Sequence, residues 1–114
     1  MSVIDEIVQG HVRAEILLAH ARWGPQTDMP DGTGGGLRAV QAAFYRRQCE
    51  AADGVGKATW RHVLEEEHAE ALAEVEPGAL YDELIQVAAV AMRWAAALRL
   101  RDNEVTLEPV GERG

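Results

Sequence analysis

The chain has 114 residues, enough for one compact domain and too few for two. Acids outnumber bases by 19 to 11, a formal charge of −8, so the surface repels phosphate backbones and general nucleic-acid binding is not expected. Aromatic residues are only 5 % and alanine is abundant, which disfavours a β-sandwich and favours packed helices.

Cys49 is the only cysteine, which rules out an internal disulfide and a cysteine-rich zinc site. A lone cysteine fits a reducing, cytoplasmic compartment. Asp5 and Glu6 stand where a secretory leader would be basic. The most apolar run, Leu84 to Met92, is about half the length of a membrane span and contains Gln86. No membrane partner is expected.

Four helices are predicted. The first covers residues 3–22: Ser2 is a cap with Asp5 three positions on, and Ile4, Ile7, Val8, Val12 and Ala19 recur at helical spacing. Gly24-Pro25 ends it. A loop rich in glycine and proline follows, from Trp23 to Gly36, long for a helix connection. Leu37, Val40, Gln41, Phe44, Tyr45 and Gln48 predict a second helix over 37–52, stopped by Asp53-Gly54. Thr59 caps a third, over 60–75. Pro77-Gly78 breaks the pattern, and a fourth helix covers 79–101. Residues 1–101 thus form one all-α, four-helix, bundle-like domain, and 102–114 a polar tail or short arm.

The third helix carries an anomaly. On a wheel of about 100° per residue, Trp60, Val63, Leu64, Ala71 and Val75 share the core-facing arc, and Glu67 and Glu74 fall inside it. Glu70 sits at the edge and Glu66 just beyond. Glu65 and Glu76 point away, as solvated acids do. On the fourth helix Leu80, Leu84, Val87, Val90, Ala91, Trp94 and Leu98 mark the stripe, and Glu83 intrudes, with Gln86 one turn along. An unpaired buried carboxylate costs several kcal/mol, so these groups must be neutralised, paired or metal-bound. Lys57 is the single lysine. Carboxylates converging from two helices make a hard oxygen site, suited to Mg²⁺ or Mn²⁺.

Glu66-Glu67-His68-Ala69-Glu70 matches an E-E-x-x-E motif. After 12 residues, Glu83-Leu84-Ile85-Gln86 matches most of an E-x-x-D motif. This pair of motifs resembles the all-α nucleoside triphosphate pyrophosphohydrolases, the MazG-like and dUTPase-like helical group, over residues 59–101. The segments Arg22-Trp23-Gly24-Pro25-Gln26, Pro30-Asp31-Gly32-Thr33-Gly34 and Thr59 to Glu67 resemble small actinobacterial and phage members. The resemblance implies that Mg²⁺, or Mn²⁺, is held between the helices, bridges the phosphates of a nucleoside triphosphate and activates a water. The products are a nucleoside monophosphate and pyrophosphate.

By the same resemblance, Glu66, Glu67 and Glu70 are catalytic, and Glu66, Glu67, Glu70, Glu83 and Gln86 are the metal set. Gln86 departs from the motif's aspartate: an amide coordinates through its carbonyl but brings no charge and is no base. Substrate contacts would come from Arg22, Trp23, Arg38, Lys57 and Arg61, with Trp23 stacking on a base and Arg38 at a helix start that favours anions. Ala19-His20 replaces a more polar pair of the relatives.

Plainer readings stand beside these. Helical glutamates are commonly a solvated face, the tryptophans packing residues, His62 and His68 surface residues, and Gly32 to Gly36 a flexible loop rather than a phosphate cradle. On the fourth helix Ile85, Ala89, Met92 and Ala96 form a second apolar arc, which predicts a homodimer or homotetramer. The expected function is house-cleaning or control of a nucleotide pool by pyrophosphohydrolysis. The rival is a non-catalytic helical module for nucleotide sensing or protein interaction, and a third reading is an acidic structural subunit.

Overall fold

The computed structural model describes residues 2–102. The expected C-terminal tail, Asp102 apart, lies outside the described residues. Among these, the chain is all-helical, with four helices and no strand: α1 (Val3–Trp23), α2 (Gly36–Gly54), α3 (Trp60–Ala73) and α4 (Pro77–Arg101). No helix among them is long and apolar enough to cross a membrane.

The helix starts follow from their caps. Ser2 Oγ accepts the Asp5 amide at 3.1 Å while Asp5 Oδ2 accepts the Ser2 amide at 3.2 Å, so two orphan donors satisfy each other's residues. Thr59 does the same with a histidine as reciprocal partner: its Oγ1 accepts the His62 amide at 3.2 Å and its own amide reaches His62 Nδ1 at 3.1 Å. His62 is thereby a capping residue. α4 begins two residues earlier than the pattern predicts. Glu76 caps it, its carboxylate accepting the Gly78 and Ala79 amides at 3.0 and 2.7 Å, with Pro77 in the first helical turn. Glu76 is therefore a cap and not an idle solvated acid, and those two amides hold its carboxyl below the usual range.

The helix ends shift for equally local reasons. α1 includes Trp23 because Gly24, at φ 71°, takes the capping position and returns its amide to His20 O at 2.9 Å. α2 extends two residues past Ala52, whose carbonyl accepts the amides of Val55 at 3.3 Å and Lys57 at 2.8 Å. α3 stops two residues short. Gly34 donates its amide to Leu72 O at 2.8 Å, and Glu74 turns extended at φ −83°, ψ 137°. Val75, expected in the core stripe, therefore leaves the helix and is 66 % exposed.

The described residues fall into two compact units, residues 2–30 with 92–102 and residues 31–91. In the first, α1 and the last part of α4 bury Val8 and Ala96. In the second, α2 and α3 pack on each other, and Ala42, Ala69, Ala71, Leu80 and Val90 are buried. Residues 55–59 join α2 to α3, and Arg46 meets Glu70 at a similar distance in sequence on either side of that turn, as in an antiparallel hairpin.

The core is built from small residues, and this corrects several expected stripes. On α2 the buried position is Ala42, while Leu37, Val40 and Phe44 are exposed, Leu37 by 72 %. Alanines on both helices let the α2 and α3 backbones approach closely, which a leucine–phenylalanine face would prevent. Val12 and Ala19 of α1 and Leu84 and Leu98 of α4 are likewise exposed rather than core. Of the second apolar arc on α4, Ala96 is buried and Ile85 and Ala89 are exposed.

Gly34 has φ 93°, and a Cβ there would run into Val75 Cγ1. Gly34→Ala should destabilise the protein by more than about 1 kcal/mol in chemical denaturation, and wild-type stability in the variant would contradict the tie to Leu72.

Candidate functional site

The acids of α3 are sorted by the helical repeat. Glu67 and Glu70 are three residues apart and share one side of α3; Glu83 lies in the second turn of α4. Glu67, Glu70 and Glu83 each bring one carboxylate oxygen to within 4.8 Å of the others, and all three are half-buried. Glu66 is half-buried too but stands outside this trio. Glu65 points away and pairs with Arg61 at 2.7 Å across one turn, an ordinary surface ion pair.

Like charges this close cannot all persist without compensation. Two devices supply it. The first is protonation, favoured at Glu67: burial raises its carboxyl first, Glu70 and Glu83 raise it further, and hydrogen bonding with Glu83 adds to the rise. Burial and then Glu70 also raise Glu83, the bond from Glu67 acting against them. The second device is Arg46 of α2, whose Nη2 and Nε reach Glu70 Oε1 at 2.8 and 3.2 Å. Glu66 is raised by burial and then by Glu70, and lowered by Arg46. Nearby, the Cys49 thiol is pushed up by burial and then by Glu66.

Within this cluster one buried oxygen has no hydrogen-bond partner. Glu83 Oε2 is fully buried and accepts no hydrogen bond. An orphaned buried acceptor costs about 1–3 kcal/mol, more when charged. Three oxygen donors, excess negative charge and one orphaned carboxylate oxygen fit a hard divalent cation such as Mg²⁺ or Mn²⁺. Glu67, Glu70 and Glu83 are the residues that could hold it.

Beside the trio lies a pocket of about 290 Å³. Ala39, Ala42 and Ala43 of α2 form one wall, and Arg46, Glu70 and Glu83 supply the polar groups. Glu74, expected to intrude into the core, is the C-cap of α3 and lines this pocket half-buried.

The other expected residues are placed differently. Gln86 is exposed, and so is His68. Arg38, Lys57 and Arg61 belong to the same unit, yet the pocket lining includes none of them. Lys57 is exposed in the turn between α2 and α3, and Arg38 is half-buried in the first turn of α2. Arg22 and Trp23 belong to the first unit, where the guanidinium lies 5.3 Å from the indole ring centre, a cation–π contact.

Arg46 is the residue that sequence reasoning missed. Its signal is a row of short side chains, Ala39, Ala42 and Ala43, which continues to Arg46 at the next helical step. Ranking faces by bulk selects Leu37, Val40 and Phe44 and hides that row.

No family model matches this chain, nor does any curated protein or solved structure.

The carboxyls of Glu66, Glu67 and Glu83 are raised above their unfolded values, so the fold favours their protonated forms. Their contribution to stability is fully present below the ordinary glutamate range and is lost as pH rises through the raised values. In the absence of divalent ions the melting temperature should therefore rise as pH is lowered from neutral towards that range. Glu83→Gln should melt higher than wild type at neutral pH and flatten this profile; an unchanged profile would remove the carboxylate cluster as its source.

Proposed function

We propose that this protein is a Mg²⁺-dependent nucleoside triphosphate pyrophosphohydrolase, releasing a nucleoside monophosphate and pyrophosphate. The observation that carries this reading is the convergence of Glu67, Glu70 and Glu83, with one buried Glu83 oxygen, Oε2, lacking a hydrogen-bond partner. The spaced motifs Glu66-Glu67-His68-Ala69-Glu70 and Glu83-Leu84-Ile85-Gln86 support it through their resemblance to the all-α, MazG-like group.

A bound Mg²⁺ or Mn²⁺ supplies positive charge to phosphate oxygens and lowers the pKa of water. The chain's own residues do the rest. Glu67, Glu70 and Glu83 would hold the cation and balance its charge. Glu66 stands beside the trio with a raised carboxyl, which suits it to take the proton of the attacking water. Water attacks the α-phosphorus, the α–β bridging P–O bond breaks, and pyrophosphate departs with that bridging oxygen. Gln86, exposed and uncharged, adds at most a carbonyl.

The same reading places the protein in the cytoplasm, where its lone Cys49 stays reduced, and in a homodimer or homotetramer. The exposed Ile85 and Ala89 of α4, with Leu37, Val40 and Phe44 of α2, are the apolar surface available for assembly. Light scattering on the purified protein should give a mass of two or four chains, and Ile85→Glu should lower it; a monomer at micromolar concentration rejects the assembly.

Gln86 in place of an aspartate favours one rival, a nucleotide-sensing module without turnover. A panel of canonical and modified nucleoside triphosphates with Mg²⁺ or Mn²⁺ separates the two. At least one should yield monophosphate plus pyrophosphate, and Glu67→Gln, Glu70→Gln and Glu83→Gln should each lower that rate at least about 100-fold. A nucleotide that raises the melting temperature without being cleaved identifies the sensor, and no effect of metal or nucleotide on either readout discards both.

A further inference from the structure

The metal set and the attacking water leave one built feature of the pocket unused, the guanidinium of Arg46. We propose that Arg46 is the phosphate-binding residue of this pocket, held by Glu70 until a divalent cation takes over that carboxylate. This inference rests on the pyrophosphohydrolase reading and adds to it the residue that receives the phosphate chain.

The geometry of the ion pair is the first argument. Both Nη2 and Nε of Arg46 serve a single oxygen, Glu70 Oε1, at 2.8 and 3.2 Å. Nη1 and the second hydrogen of Nη2 remain to donate elsewhere, and a guanidinium fork matches phosphate oxygens well. The Arg46 side chain is 55 % exposed and that of Glu70 20 %, so the basic end of the pair stands at the solvent side. An incoming anion meets Arg46 before it meets the carboxylates.

The second argument is shared occupancy. Glu70 belongs to two groups at once, the carboxylate trio and the ion pair. A divalent cation among Glu67, Glu70 and Glu83 supplies the charge that Glu70 otherwise draws from Arg46. The guanidinium then faces an anion's charge instead, in a pocket whose alanine wall leaves room beside it. That room, about 290 Å³, is at the lower limit for small-molecule sites, which suits a phosphate chain rather than a whole nucleotide.

The third argument is elimination within the unit. Arg61 is engaged by Glu65 at 2.7 Å, and none of Arg38, Arg47 and Lys57 lines the pocket.

The test uses the full chain and two probes, Mg²⁺ alone and a non-hydrolysable nucleoside triphosphate analogue with saturating Mg²⁺, both read by calorimetry. Arg46→Ala should weaken the analogue roughly 10- to 100-fold, as expected for lost hydrogen bonds to a charged group. It should leave Mg²⁺ alone at wild-type affinity or tighter, because Glu70 loses a competitor. Arg46→Lys should recover part of the analogue's affinity through charge alone, and both variants are first checked for wild-type helicity. Analogue binding within about twofold of wild type in Arg46→Ala overturns the assignment, as does an equal loss for Mg²⁺ and analogue, which marks Arg46 as a prop for the carboxylates. If Arg46→Ala does not fold, Arg46→Lys decides by the same criteria. A wild-type protein that binds the analogue and turns over substrate while Arg46→Ala matches it rejects only this inference. A wild type that binds neither probe rejects the pyrophosphohydrolase reading and Arg46 with it.

Discussion

Crowding of carboxylates in the α2–α3–α4 unit is the constraint on which the site depends. Glu67, Glu70 and Glu83 approach one another more closely than three free anions would tolerate. The fold accommodates them by two different means, carboxyls raised by burial at Glu67 and Glu83 and a guanidinium laid against Glu70. Glu83 Oε2 stays buried without a hydrogen-bond partner. A cluster compensated in this partial way keeps like-charge repulsion that added positive charge would relieve.

That arrangement follows from a core made of small residues. Ala42, Ala69 and Ala71 are buried where larger side chains would hold the helices apart. Close approach of α2 to α3 brings Arg46 within reach of Glu70 from a different helix, 24 residues away in sequence. The same packing leaves Leu37, Val40 and Phe44 outside. The apolar surface that a small alanine core fails to use is then available to another chain, which ties the chemistry of the site to the proposed assembly.

The tie at Gly34 shows how a loop fixes a helix boundary. With Gly34 donating to Leu72 O and Glu74 turning extended, α3 ends early and Val75 leaves it. Glu76 is then free to cap α4, which sets the register of Glu83 in the second turn. A glycine in the left-handed region before α2 thus bears on the position of a carboxylate on α4.

Much of this was legible in the sequence. The helical class follows from alanine-rich, aromatic-poor composition. The starts at Val3 and Trp60 follow from Ser2 and Thr59, because capping is local chemistry between residues three apart. The anomalous acids Glu67 and Glu83 also follow from spacing alone, since the helical repeat places them among apolar neighbours. Three things required the tertiary structure: the face of α2 that turns inward, the membership of the trio without Glu66, and Arg46. A wheel ranks faces by apolar bulk, whereas packing selects the face that permits the closest approach of two backbones. The partner of a buried charge is set by that approach, and neighbours in sequence carry no record of it.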